Sequence, residues 1–165
     1  MGSPHKPQSG SRISRRRVVS AGGVVLRVGR RGLEVLLVTL RQGAVWSLPK
    51  GQVEPGERYS ETAVREVREE TSVEARILAP LGRIRYHFTV RDEATPVAVT
   101  KEVHYFLMRY QAGEPKPQLA EVEGAEWVPV HVALSRLSYA NEREMLHRAL
   151  KRWEKPSRSL EATQA

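Results

Sequence analysis

The chain has no cysteine among its 165 residues, which excludes a disulfide scaffold, a thiolate zinc site and a cysteine nucleophile. That absence fits a reducing cytoplasm, the compartment expected for this protein. Aromatic residues are scarce, at 6%, and no apolar run approaches the ~20 residues of a membrane-spanning helix. Arg15-Arg16-Arg17 ahead of Val18 to Leu26 faintly mimics an export signal, but Ser20, Gly22 and Gly23 interrupt the apolar stretch and Arg27 stops it. Acidic residues are missing from positions 1–17, which hold Lys6, Arg12, Arg15, Arg16 and Arg17. These cations supply most of a net charge of +8, set by 27 Lys and Arg against 19 Asp and Glu. A basic arm attracts phosphates without needing a fold, so nucleic acid is kept open as its partner. No aromatic residue is interleaved with these arginines to stack a base, so a flexible, solubilising arm is the preferred reading.

Apolar residues make up 40% and charged residues 28%, an ordinary globular composition for one domain. Residues 1–14 are expected to form a flexible basic arm, 15–155 a single domain and 156–165 a flexible tail. Val18 to Arg27 reads as a strand, Gly29 to Gly32 as a turn and Leu33 to Leu40 as a second strand, together a hairpin. Trp46 to Leu48 is a short apolar piece, and Lys50 to Arg58 reads as a loop punctuated by Gly51, Pro55 and Gly56. Ser60 is a plausible N-cap for a helix reaching about Thr71. Ile84, Tyr86, Phe88 and Val90 alternate with polar neighbours, a strand pattern, and Val97 to Tyr110 is a longer strand. Ala125 to Val130 is a short strand, followed by helices near Val132 to Leu137 and Asn141 to Trp153. Strands and helices mix without regular alternation, which predicts an α/β fold with a mixed sheet between helices.

Gly51 to Val73 carries the chemistry. On a helix, Glu66, Glu69 and Glu70 stand at i, i+3 and i+4, within an arc of about 100°. Like charges at that spacing destabilise an isolated helix. A hard divalent cation such as Mg²⁺ or Mn²⁺ reverses the sign, because it takes oxygen ligands and shares its shell with substrate phosphates. A solvated acidic face is the plainer alternative. Against it stand the apolar side at Ala63, Val64 and Val67, which packs the helix on a core, and the Pro-Gly loop before it. Glu57 and Arg65 flank the cluster and suit an ion pair that anchors loop to helix.

Gly51, five residues, Glu57, seven residues, Arg65-Glu66, apolar Val67, one residue and Glu69-Glu70 together resemble the Nudix box. The family pattern then has a glycine where this chain has Ser72, a departure that touches the helix end and not the carboxylates. The resemblance implies a Nudix-type α/β/α sandwich that hydrolyses a nucleoside diphosphate linked to another group, with Mg²⁺ or Mn²⁺. It implies Glu66, Glu69, Glu70 and the Lys50 carbonyl as metal ligands, with Gly51, Glu57 and Arg65 as the structural part of the box. Trp46 to Gly51, Glu54 to Glu57 and Lys101 to Met108 resemble, more narrowly, the diadenosine tetraphosphate hydrolase branch. That likeness implies Glu121 as a further acidic residue near the metals, and Lys50, Tyr86 and Lys101 as phosphate contacts. Arg41 is a further cation able to meet charge beyond the metals. Tyr86 reads equally as a core aromatic, and Lys101 as an exposed strand charge. Tyr105 is expected in the core rather than on an adenine, and His87 and His104 as structural, since hard cations prefer oxygen.

The implied activity is metal-dependent attack of water on phosphorus in diadenosine tetra- to hexaphosphate, with a small-molecule nucleotide as partner and no membrane. Oxidised nucleoside triphosphates, ADP-ribose and RNA 5′ ends are alternative substrates, and a Nudix domain that binds nucleotide without turnover is an alternative class. Monomer and homodimer both stay open.

Overall fold

Val18, Val19, Val24, Val25 and Leu26 favour an extended backbone, and they lie in β1 (Ser14–Gly29), the central strand. The computed structural model describes residues 13–91 and 95–154. The expectations for residues 1–12 and for the tail from 155 onward therefore lie outside the described residues. After β1 come β2 (Gly32–Leu40), β3 (Val45–Ser47), β4 (Lys50–Gln52), α1 (Tyr59–Thr71), β5 (Glu74–Arg91), β6 (Pro96–Ala112), β7 (Gly124–Pro129), α2 (Val130–Arg136) and α3 (Ala140–Glu154).

Among the described residues the strands form one seven-stranded sheet in the order β3-β2-β1-β6-β5, with β4 beside β1 and β7 beside β2. β1 and β6 run parallel while the other pairs are antiparallel, so the sheet is mixed as expected. Successive β1 residues point to opposite faces. Ala21 and Val25 meet Ala63 and Val67 of α1 on one side. Val24 and Leu26 share a core with Leu107 and with Met145, Leu146 and Ala149 of α3 on the other. The layers are thus α/β/α. Burying a side chain such as Leu146 in this arrangement contributes roughly 1.5–3 kcal/mol relative to exposure.

Four boundaries differ from the sequence reading. β1 starts at Ser14, so the arginine triplet lies in the sheet, paired with Ala98, Val99 and Thr100 of β6. Lys50 to Gln52, expected as loop, is a strand beside Ser20 to Gly22. It fits there because Gly22 lacks a side chain: a β-carbon on Gly22 would collide with the Pro49 carbonyl. β5 begins ten residues before Ile84, its first half irregular between Ile77 and Gly82 around Pro80. Helix α1 begins at Tyr59 with Arg58 as N-cap rather than Ser60, because Glu61 reaches back to the Arg58 amide at 3.2 Å.

Candidate active site

Helix α1 holds its carboxylates against β4. Glu66 and Glu70 are on its buried side, and a β-carbon on Gly51 would collide with the Glu66 carboxylate. Glycine at 51 is therefore what lets strand and carboxylate approach. The Lys50 amide donates to Glu70 Oε2 at 3.3 Å, which brings the Lys50 backbone next to the same group. The loop before β7 closes the site. Lys116 N donates to Thr71 O at 2.8 Å and Gln118 N to Glu70 O at 3.1 Å, so the loop takes up carbonyls at the end of α1. A turn at Gln118, whose carbonyl accepts from Glu121 N, then presents Glu121. One carboxylate oxygen from each of Glu66, Glu70 and Glu121 lies within 4.8 Å of the others.

This donor set fits a hard cation. Glu66 Oε2 is buried with no hydrogen-bond partner among the described residues, a costly state for a carboxylate oxygen unless a cation meets it. Burial pushes the Glu70 carboxyl up to about 8, against the pull of the Lys50 amide, and the Glu66 charge adds to the rise. Burial raises Glu66 as well, opposed by Arg65. Three carboxylates crowded together, with Glu66 and Glu70 both raised, describe a place that lacks positive charge.

Glu69 is not in this group. Its carboxylate accepts from Arg65 Nη1 at 3.0 Å and is half exposed. Arg65 is the hub of the loop beneath: it donates to both oxygens of Glu57 at 2.7 and 2.9 Å, to Gln52 O at 2.9 Å and to Glu66 Oε1 at 2.8 Å. The expected Glu57–Arg65 anchor is thus present, and it holds the Glu57 carboxyl down at about 2.

Lys50, Arg41 and Glu121 line one open cleft of about 420 Å³ with Ser47 and Tyr139. Arg41 has a left-handed backbone, φ 51, at the turn that carries it to the cleft. Tyr86 and Lys101 are cross-strand partners. Burial, and then the charge of nearby Lys50, hold the Lys101 ammonium below its usual range. Burial likewise raises the Tyr86 phenol. Both are half-buried, and Tyr86 packs against the α3-side core.

Glu142 escaped the sequence reading. It is fully buried, and its Oε1 accepts from Ser47 Oγ at 2.8 Å, Leu48 N at 2.8 Å and Tyr105 OH at 3.3 Å, with Lys50 Nζ at 3.7 Å. Lys50 Nζ also donates to Ser47 Oγ at 3.0 Å. Glu142 thus ties α3 to the β3–β4 corner and to the lysine ahead of the box. A signal existed: Glu142 occupies the apolar stripe of α3, at i before Met145, Leu146 and Ala149. Tyr105 is in the core, as expected. His104 stacks on Tyr59 and His87 meets Thr100 Oγ1 at 3.1 Å, so neither histidine belongs to the carboxylate group.

Residues 16–149 match the NUDIX domain model. The chain belongs to the Nudix family. A Mycobacterium tuberculosis protein described as mutator protein MutT4 is 42% identical over 132 residues, 76% of this chain and 52% of that protein. The 8-oxo-(d)GTP phosphatase of Mycolicibacterium smegmatis is 36% identical over 108 residues, 65% of this chain and 30% of that protein. The chain therefore spans about half or less of these two Nudix relatives. A crystal structure of a C. elegans Ap4A hydrolase binary complex superposes with a TM-score of 0.59 at 24% identity, covering 79% of this chain and 93% of that one. That likeness is one of fold.

Proposed function

We propose that this Nudix chain is a divalent-metal-dependent pyrophosphohydrolase whose preferred substrates are dinucleoside polyphosphates of four or more phosphates. The observation that carries the hydrolase reading is the Glu66, Glu70 and Glu121 group with its unpartnered Glu66 oxygen. Those three carboxylates and the Lys50 carbonyl would hold Mg²⁺ or Mn²⁺. Glu69 joins by turning away from Arg65, an exposed i,i+4 pair worth only about 0.3–0.5 kcal/mol. A cation bound there supplies charge neutralisation at the phosphate oxygens and a lowered pKa for attacking water. The protein's own groups do the rest. A carboxylate of the cluster takes the proton of the attacking water. Lys50, steadied by Ser47 and Glu142, meets a phosphate oxygen, and Arg41, Lys101 and Tyr86 meet phosphates further along the chain. The substrate choice is supported by the spread of these cations beyond the carboxylates, since remote phosphates can hold the scissile one in line.

A second substrate, an oxidised nucleoside triphosphate, is favoured by the M. smegmatis relative's name. Steady-state kinetics on diadenosine tetraphosphate, 8-oxo-dGTP and ADP-ribose, with and without Mg²⁺, separate the two. The tetraphosphate should give the highest kcat/KM, and Lys50→Ala should penalise it more than ADP-ribose by about 1–3 kcal/mol. Glu70→Gln should lower kcat on the order of 100-fold. A tenfold advantage for 8-oxo-dGTP would overturn the substrate choice, and an unchanged kcat in Glu70→Gln would overturn the site.

A further inference from the structure

A second charged surface lies away from the carboxylates. α1 begins at Tyr59, which stacks on His104 in the row of Ala21, and from that row outward the strand register lines up cross-strand rows. Ala21 aligns with His104 and Arg83, Val19 with Glu102 and Arg85, Arg17 with Thr100 and His87, and Arg15 with Ala98 and Thr89. Each of the four rows holds one arginine: Arg83, Arg85, Arg17 and Arg15. Alternate strand residues recur every ~6.6 Å, so the rows span about 20 Å.

Glu102 is the one carboxylate in these rows. It is buried and takes Arg17 at 2.8 Å, Arg85 at 3.1 Å and Arg83 at 3.7 Å. The three guanidinium side chains remain 59, 47 and 49% exposed. A guanidinium has five N–H donors, so an ion pair with Glu102 orients the fork and leaves donors facing outward. Beside Arg15 is a shallow hollow of about 440 Å³. Thr89, Ala98 and Thr100 give it a floor of small side chains, with His87 and exposed Ile13 at its rim. At the opposite end of the rows, the Tyr59 and His104 rings stack at 4.3 Å.

We propose that this face binds a single-stranded polynucleotide, its phosphates along the arginine rows and its bases against the hollow and the Tyr59–His104 pair. The separation of the hollow beside Arg15 from the Tyr59–His104 pair, with the guanidinium groups at Glu102 between them, selects a polymer, because a mononucleotide has one base and fills only one of the two. Three guanidinium groups gathered at Glu102, and Arg15 beside the hollow, meet successive phosphates of a backbone, and apolar or aromatic surface beside them accepts any base. The arginine triplet has no aromatic neighbour in sequence, but β5, β6 and α1 bring rings to it across the sheet. No residue of this surface belongs to the carboxylate cluster, so the inference stands apart from the hydrolytic reading.

The test is fluorescence anisotropy of a fluorescein-labelled 20-nucleotide uridine RNA with the full chain, in EDTA, from 50 to 200 mM salt. Four phosphate contacts should give a slope of log K against log salt of about −2.8. Arg15→Ala/Arg85→Ala should weaken binding tenfold or more at 50 mM salt and make the slope shallower by about 1.4. Arg15→Ala alone should change the slope by about half of that and keep the wild-type melting curve, and both variants should stay folded by circular dichroism and keep hydrolysis of small nucleotides. Lys151→Ala/Arg152→Ala on α3, with the same loss of charge, should bind within twofold of wild type. No binding by the wild type, equal weakening in the two double variants, or displacement by polyglutamate as effective as by unlabelled RNA would overturn the proposal.

Discussion

Ser72 ends helix α1 in a left-handed conformation, φ 64, with its amide donating to Arg68 O at 2.8 Å. A residue with a β-carbon is strained there by roughly 1–3 kcal/mol. Its hydroxyl recovers little through a long bond to Lys116 O at 3.3 Å. Ser72→Gly should therefore stabilise the fold by about 0.5–1 kcal/mol, after the greater freedom of glycine in the unfolded chain is subtracted. Urea denaturation reads this directly, and a loss of stability would mean that the Lys116 bond outweighs the strain. Hydrolysis should not change, since the carboxylates stand ahead of the cap. The same residue-scale accounting separates two buried glutamates. Glu142 has three donors on its Oε1, so its burial is satisfied by protein. Glu66 leaves one oxygen unanswered. That contrast sets Glu142, beside Lys50, apart from Glu66, whose free oxygen faces the proposed cation.

Helix α1 and the loop before it behave as one element because Arg65 clamps both. Its bonds to Glu57 lower that carboxyl to about 2, from an ordinary value near 4.5. A depressed carboxylate contributes stability in full above its unfolded pKa and loses it as pH falls toward the folded one. The melting temperature should thus fall between about pH 4.5 and 2, and Glu57→Gln should flatten that fall. Glu102, held at about 2 first by Arg17, titrates in the same window, so the fall should shrink rather than vanish. A Glu57→Gln curve parallel to wild type would remove the clamp from the stability of α1. The clamp was legible from spacing alone, as were the hairpin, the box helix and the two later helices, because each rests on local pattern. What the sequence hid was set by pairing across the sheet. β4 is three residues long and exists only because Gly22 admits it. The first half of β5 bends at Pro80, which masks its alternation. Helical spacing groups Glu69 with Glu66 and Glu70, but Arg65 one turn earlier draws its carboxylate away, whereas Glu121, reached from a distant loop, is legible only through the family resemblance.

At the scale of the whole molecule, folding gathers Glu66, Glu70 and Glu121 while the unfolded chain keeps them apart. Glu70 is raised to about 8, so its contribution to the metal-free fold is fully present below about pH 4.5 and is lost as pH rises through about 8. A cation that binds only the folded form works against that loss. It stabilises by RT ln(1 + [L]/Kd), about 2.7 kcal/mol at a hundredfold excess over Kd. For a chain of this length that corresponds to a melting shift of about 5–10 °C. Millimolar Mg²⁺ or Mn²⁺ should produce this shift, and Glu66→Gln/Glu70→Gln should abolish it. The shift should also be larger at pH 8.5 than at pH 6.5, because a proton must leave Glu70 before its oxygen can serve as a ligand. Differential scanning calorimetry at the two pH values, with and without metal, measures both effects. If wild type hydrolyses nucleotide yet melts at the same temperature with and without metal, the carboxylates do not bind the cation by themselves. The substrate phosphates would then complete the site, and the folded protein alone would carry the electrostatic cost of the cluster.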